Sequence, residues 1–308
     1  MDALQEIAQT LLPLALLVGV GYALLRLRFY DPAFLKGLDR LVYWVALPAL
    51  IVSLLAGASA ITGTGRMVAA LTLATLATSA AALGAARLLR RPRAEVGVLV
   101  QAAFRGNLAF VGLPVIALSG ADEALLARAA LVFAPIVVLY NVLGVLGLVA
   151  AQHRFDAAMP VKLVKPLVTN PLLLACGLGL VLWQLEIALP GPAQTTLGLL
   201  GQTAGPLALV SLGGALARFG VGGHAAPAAM GTFLKCVACP AAAWAAAWAL
   251  GLEANDTRVV LIFAACPTAV ASYVLATQLK GDSALASACI AVSTLASGAA
   301  LAAVLALT

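Results

Sequence analysis

Val96 to Leu118 reads VGVLVQAAFRGNLAFVGLPVIAL, an apolar run of membrane-crossing length interrupted by Arg105-Gly106-Asn107. Val259 to Gln278 reads VVLIFAACPTAVASYVLATQ, with its interruption at Cys266-Pro267. Asn107 and Pro267 stand 160 residues apart. Backbone that leaves the helical ladder inside a bilayer must be buried in protein or line a watery cavity, because lipid offers it no hydrogen bonds. Paired interruptions in corresponding segments of two halves therefore point to a binding site near the bilayer midplane.

The rest of the chain agrees with a membrane setting. Of its 308 residues 63% are hydrophobic and 10% charged, with a mean hydropathy of +1.07, more apolar sequence than a soluble core needs. Runs of about twenty apolar residues, the length that spans a bilayer, lie at Leu4 to Leu25, Leu38 to Ala56, Met67 to Ala86, Val96 to Leu118 and Leu125 to Ala150. A second five lie at Pro166 to Leu185, Thr196 to Ala217, Ala226 to Leu250, Val259 to Gln278 and Ala284 to Leu307. The fold class expected is an all-α membrane protein of ten transmembrane helices. The first run has neither a basic n-region nor a small-residue cleavage site, so it reads as a mature helix. The longest linker, residues 151–165, is basic and too short for a folded domain.

Lys and Arg are unevenly shared between alternate loops. Thirteen, including Arg26, Arg28, Arg87, Arg90, Arg91, Arg93, Arg154 and Lys162, fall on one side, and three, Arg66, Arg128 and Arg258, on the other. The positive-inside rule then places the richer side in the cytoplasm and both termini outside a cytoplasmic (inner) membrane. The pI of 9.3 is a topology signal by this account, and no nucleic-acid partner is expected.

Two cations, Arg105 and Lys235, remain inside apolar segments. A charge at the bilayer centre costs about 2.5 to 3.5 kcal/mol on insertion scales, so it faces a cavity or a partner. Lys235 could instead snorkel or bind carbonyls at a helix end. The twelve acids lie at or beyond the expected helix ends, which leaves the interior with cations and no carboxylate. Such an interior suits an anionic substrate, and an arginine fork can donate two parallel hydrogen bonds to a carboxylate.

The halves resemble one another beyond the breaks. Pro13 to Gly21 aligns with Pro171 to Gly179, and Pro48 and Ser53 with Pro206 and Ser211, at an offset of 158; Asn107, Asp122 and Leu125 align with Pro267, Asp282 and Leu285 at 160. Units of five helices must enter the membrane from opposite sides. The organisation expected is a first repeat at residues 1–150, a cytoplasmic linker at 151–165 and a second, inverted repeat at 166–308. At 1.5 Å per residue, counted from Glu95 and from Arg258, the breaks come about 18 and 13 Å into a hydrocarbon core of about 30 Å. Broken helices there present free N–H groups and a positive partial charge to an anion. Gly106, Gly112 and Pro114 help open the fourth segment, and Pro267 removes a backbone donor in the ninth.

Gly106-Asn107-Leu108-Ala109-Phe110-Val111-Gly112-Leu113-Pro114 resembles the fourth-helix motif of the auxin efflux carrier family. Tyr140-Asn141, Asn170-Pro171-Leu172, Pro206 to Leu209 with Gly213 and Gly214, and Pro267-Thr268-Ala269 through Ala276 with Gly281-Asp282 follow in the family's order. The resemblance covers nearly the whole chain and implies two inverted five-helix repeats with the fourth and ninth helices crossing at their breaks, as in bile-acid symporters and sodium/proton antiporters. It implies small organic anions such as auxin or dicarboxylates as substrates, a dimeric assembly, and contact between Asn107 and the substrate carboxylate. The chain departs from the plant exporters in lacking a large central loop, in Gly106 where they carry proline, and in Ser272 where they carry a second proline. It looks like a short bacterial member, which argues against auxin itself.

Asn107 is the leading site candidate, since an amide at the midplane needs partners and can donate to a carboxylate. Arg105, two residues away, converges on it only if the helix breaks between them. Thr268, Ser272 and Tyr273 supply hydroxyls after Pro267, and Asn141, Gln101, Lys235, Ser53 and Ser211 could line adjacent helices. Each hydroxyl could equally bond a carbonyl one turn back. The five cysteines lie in apolar segments; Cys236 and Cys239 resemble a C-x-x-C pair but lack further metal ligands, so no metal, cofactor or disulfide is expected. An intramembrane enzyme would need a nucleophile with a base or a metal motif in the apolar segments, and none is legible there. Within transport, a Na⁺- or H⁺-coupled organic-anion symporter is the alternative.

Overall fold

The computed structural model describes residues 3–58, 63–152, 164–165 and 168–308, with side chains from residue 9 onward. The linker expected at 151–165, with Arg154 and Lys162, and the start of the sixth run at Pro166 fall largely or wholly outside them. A helix is found in each of the ten apolar runs. In chain order these are α1 (Ala3–Arg26), α2 (Pro32–Leu41) continuing into α3 (Leu47–Ala56), α4 (Thr64–Leu88), α5 (Arg93–Phe104), α6 (Leu113–Leu118) and α7 (Glu123–Ala151). There follow α8 (Pro171–Gln184), α9 (Gly191–Leu216), α10 (Ala225–Phe233) continuing into α11 (Cys239–Ala249), α12 (Ala254–Ala265), α13 (Ala271–Gln278) and α14 (Ser283–Leu307). Among the described residues, seven helical spans are long and apolar enough to cross a membrane, and two shorter apolar helices lie at Leu108–Leu118 and Pro171–Gln184.

Local chemistry sets the ends. Asp31, Asp122 and Asp282 each accept a hydrogen bond from the backbone N–H three residues on, at 2.8, 2.7 and 2.9 Å, and Asn170 accepts from Leu172 N at 2.9 Å. These caps satisfy donors that the first helical turn leaves open. Three single π-turns, Val42–Ala46, Leu108–Gly112 and Leu234–Ala238, each run into a helix whose second residue is proline: Pro48, Pro114 and Pro240. A proline ring crowds the carbonyl one turn back and brings no N–H, and a widened turn relieves both.

The chain forms two compact units, each drawing segments from both halves of the sequence: residues 1–64, 109–135 and 167–218 in one, and 65–108, 136–166 and 219–308 in the other. In the first, α1 packs on α9 with almost no side chain between them. A Cβ on Gly21 would stand 1.9 Å from the carbonyl oxygen of Val210, and one on Gly213 1.9 Å from that of Val18. Gly179 and Gly201 make similar room for Leu55 and Leu50 of α3. Membrane helices associate through such small-residue contacts because lipid supplies no hydrophobic drive between them.

One expectation is corrected in this unit. Helix α2 begins at Pro32 rather than Leu38, so Asp39 falls inside the apolar span Pro32–Ala56 instead of at its end. Its carboxylate accepts a hydrogen bond from the hydroxyl of buried Ser211. The cause is the strong cap at Asp31-Pro32, which starts the helix a turn and a half before the apolar run.

The second unit packs α5, α7, α10 and α14 around Val98, Leu99, Ala102, Leu148, Ala228 and Cys289. Gly97 lets α5 approach α7 closely: a Cβ there would lie 2.7 Å from Leu148 Cα. Both broken segments, from Arg93 to Leu108 and from Ala254 to Gln278, belong to this unit.

Candidate functional site

Helices α5 and α12 are each twelve residues long, so each break lies about 18 Å along from the start of its helix. At the breaks the backbone leaves the helical region, with ψ of 84° at Arg105 and 146° at Cys266. The two extended pieces pair. Asn107 N donates to the Pro267 carbonyl and Ala269 N to the Arg105 carbonyl, both at 2.8 Å, forming an antiparallel bridge between Gly106 and Thr268. Thr268 N donates to Ser293 Oγ of α14 at 3.0 Å, and Thr268 Oγ1 to the Ala102 carbonyl at 3.0 Å. The expectation that the breaks hold their N–H groups free for an anion is thus corrected for Asn107, Thr268 and Ala269. Buried amides without water must find protein acceptors.

Gly106, in the bridge with Thr268, is closely surrounded. A Cβ there would sit 3.1 Å from the Phe263 carbonyl oxygen, 3.1 Å from Leu108 Cδ2 and 3.3 Å from the ammonium of Lys235. Lys235, fully buried in the π-turn after α10, donates to the Ala264 carbonyl at the end of α12, with Cys239 Sγ 4.0 Å away. It binds a helix-end carbonyl and pairs with no carboxylate among the described residues. A cation at a helix C-terminus also complements the negative end of the dipole.

Arg105, 8% exposed, reaches α7. Its Nη2 donates to Asn141 Oδ1 at 2.7 Å and its Nη1 to the Tyr140 carbonyl at 3.2 Å, both neutral acceptors. Gln101, one turn before the break, donates to the Ser272 carbonyl at 3.0 Å. Its Oε1 and the Ser272 hydroxyl are buried without a hydrogen-bond partner among the described residues. Buried polar atoms seldom stay unsatisfied, which sets these two apart from the paired groups around them. Two buried cations, an asparagine, a glutamine and a hydroxyl are gathered around the paired backbone breaks.

A family model described as a membrane transport protein matches residues 6–304. The chain belongs to that family of membrane transport proteins. It is the auxin efflux carrier family, whose motif order runs through the segments just described. No curated protein is detectably similar to this membrane transport protein.

In this transporter, an integral multi-pass membrane protein, most of the residues singled out in the sequence come together. Arg105, Gly106, Asn107, Gln101, Lys235, Pro267, Thr268 and Ser272 lie at the paired breaks, with Asn141 holding Arg105. Asn107 is buried at 6% exposure. Tyr273 is 37% exposed and packs at a tilt against Phe219, with ring centroids 5.7 Å apart. Ser53 and Ser211 belong to the other compact unit, and Gly112 and Pro114 lie there in the π-turn and helix that follow the break.

Two contributors were not among the expected site residues. Tyr140, buried and packed against Phe104 with ring centroids 5.4 Å apart, gives its carbonyl to Arg105. Its place beside Asn141 was a signal available in the sequence. Ser293 anchors the second break, and nothing in its surroundings, Ala-Val-Ser-Thr-Leu, distinguishes it from packing. The five cysteines are buried and unpaired with one another.

Proposed function

We propose that the protein is a secondary transporter that carries small organic anions, carboxylates in particular, across the cytoplasmic membrane by alternating access, with the substrate bound where the α5 and α12 breaks meet. The observation that carries this reading is the coincidence of the Asn107–Pro267 backbone pairing with buried Arg105 and Lys235. Polar backbone and cations are costly in apolar surroundings, and in membrane proteins they are concentrated along substrate paths. Asn107, Arg105 and Ser272 are the groups proposed to hold the carboxylate, and Lys235 to add positive potential.

The ten helical segments are read as ten crossings in two inverted repeats. Support comes from equal twelve-residue helices before each break and from matching caps at Asp122 and Asp282, 160 residues apart. The loop asymmetry in Lys and Arg orients both termini outward, and the family resemblance suggests a homodimer. An inside-negative potential drives an anion outward with about 2.3 kcal/mol per charge per 100 mV, so export of a monoanion needs no coupling ion. A second reading, H⁺- or Na⁺-coupled symport, is favoured by one observation: Asp39 is an acid inside an apolar span, bonded to Ser211.

Flux of labelled small carboxylates from proteoliposomes tests both. The export reading expects efflux driven by a K⁺ diffusion potential alone, and a fall of about tenfold or more in Asn107→Ala, the loss of a hydrogen bond to a charged group. Flux that ignores voltage but follows a pH or Na⁺ gradient would replace it with the coupled reading. Full flux in Asn107→Ala would remove the site assignment.

A further inference from the structure

A cleft of about 450 Å³ opens at one end of the second compact unit, where α4 ends, α5 begins and α7 ends. Its rim carries Arg87, Arg90, Arg91 and Arg93. Arg91 is engaged by Glu95, with Nε 2.8 Å and Nη2 2.5 Å from one carboxylate oxygen. Arg87, Arg90 and Arg93 are exposed and have no carboxylate partner among the described residues. The walls below them are apolar: Leu83, Val96, Val100, Gly147 and Ala150. Leu88 and Leu89, between the arginines, are 82% and 60% exposed. Apolar side chains so exposed among cations suit the boundary where headgroups meet hydrocarbon.

We infer that this cleft binds the headgroup of an anionic phospholipid, the arginines holding its phosphate and the apolar wall its glycerol and upper acyl chains. The ligand chemistry follows from the lining. A basic pocket between membrane helices, on the side rich in Lys and Arg, attracts anionic headgroups, and guanidinium forks match phosphate oxygens. A vestibule for the transported anion would present the same charge but would need an opening inward. Here α5 and α7 close against each other. Gly97 leaves only enough space for α7, a Cβ on it falling 2.7 Å from Leu148 Cα and 2.8 Å from the Gly147 carbonyl, and Val100 Cγ1 would touch a Cβ on Gly147 at 3.7 Å. With α5 and α7 packed together at Gly97 and Gly147, the cleft suits a molecule that stays in the membrane plane.

Native mass spectrometry of the full chain in neutral detergent, titrated with phosphatidylglycerol or phosphatidylcholine, tests the inference without recourse to flux. Bound phosphatidylglycerol is expected at concentrations where phosphatidylcholine does not bind, with inorganic phosphate at equal concentration failing to displace it. In Arg90→Gln/Arg93→Gln the half-saturating concentration is expected to rise about tenfold or more. Both positions are exposed, and an unchanged lipid-free Tm would show the variant folded; if it does not fold, Arg87→Gln alone gives the same comparison. Equal retention of both lipids, displacement by inorganic phosphate, or undiminished binding in the folded variants would each overturn it. Because binding is read directly, failure here leaves the transport reading untouched, and failure of transport leaves this one.

Discussion

Asn107 donates its backbone N–H to the Pro267 carbonyl at 2.8 Å, and through that bond two interrupted helices distant in sequence hold each other's unpaired backbone. Ala269 returns the exchange to the Arg105 carbonyl at the same distance. Two hydrogen bonds are a small strand pairing, but they replace what each broken helix lost on leaving its ladder. The side chain of Asn107 is not needed for this bond, so the position can serve the fold through its backbone and a substrate through its amide.

Gly106→Ala tests how tightly the breaks are pressed together. The added Cβ would meet the Phe263 carbonyl at 3.1 Å and the Lys235 ammonium at 3.3 Å, and the carbonyl belongs to backbone that has little room to yield. A destabilisation of about 1 to 3 kcal/mol is expected, read as a lowered Tm in detergent. Gly106→Val should do worse, and an unchanged Tm in both would mean that the segments separate freely.

Arg105 and Asn141 should be energetically coupled. A double-mutant cycle with Arg105→Gln and Asn141→Ala is expected to give an interaction energy of about 1 to 3 kcal/mol, since the pair is a short hydrogen bond to a charged donor in a poorly solvated place. Arg105→Lys should not rescue it, because an ammonium cannot reach both Asn141 Oδ1 and the Tyr140 carbonyl with a planar fork. Strict additivity in thermal unfolding would count against the contact.

Lys235→Met removes a fully buried ammonium while keeping most of the side-chain volume. Desolvating the cation is expensive, and its named partners are the Ala264 carbonyl and a thiol, so stability is expected to change by no more than about 2 kcal/mol in either direction. If Lys235 supplies positive potential to the bound anion, KM for a carboxylate should rise about tenfold with the variant still folded. A normal KM would reduce Lys235 to a helix-end cap.

Gly21 and Gly19 lie on the same helix, two residues apart, with opposite surroundings. A Cβ on Gly21 would fall 1.9 Å from the Val210 carbonyl oxygen, whereas Gly19 has nothing within 4 Å. Gly21→Ala is expected to prise α1 from α9 and prevent recovery of folded protein from the membrane. Gly19→Ala should express and melt as the parent does, within about 0.5 kcal/mol. Equal behaviour of the two variants, checked by size-exclusion chromatography, would contradict the observed backbone contact.

The order and approximate limits of the helical segments could be read from the chain alone, because an apolar stretch of bilayer length has few alternatives to a helix in lipid. The breaks were legible for the same reason, as was the gathering of Arg105, Asn107, Lys235 and the Pro267 segment, since charges and amides stand out in apolar sequence. What a local pattern leaves undecided is which partner each polar group takes. Only the tertiary structure could show that Arg105 turns to Asn141, that Lys235 takes the Ala264 carbonyl, that Thr268 reaches across to Ala102 instead of back along its own helix, and that Tyr273 packs on Phe219. Asp39 went unrecognised as an acid within a helix because the cap at Asp31 sets the helix start by geometry, ahead of the apolar run. Hydropathy is a property of each segment and survives in the sequence; hydrogen-bond pairing depends on which segments meet, and that is decided in three dimensions.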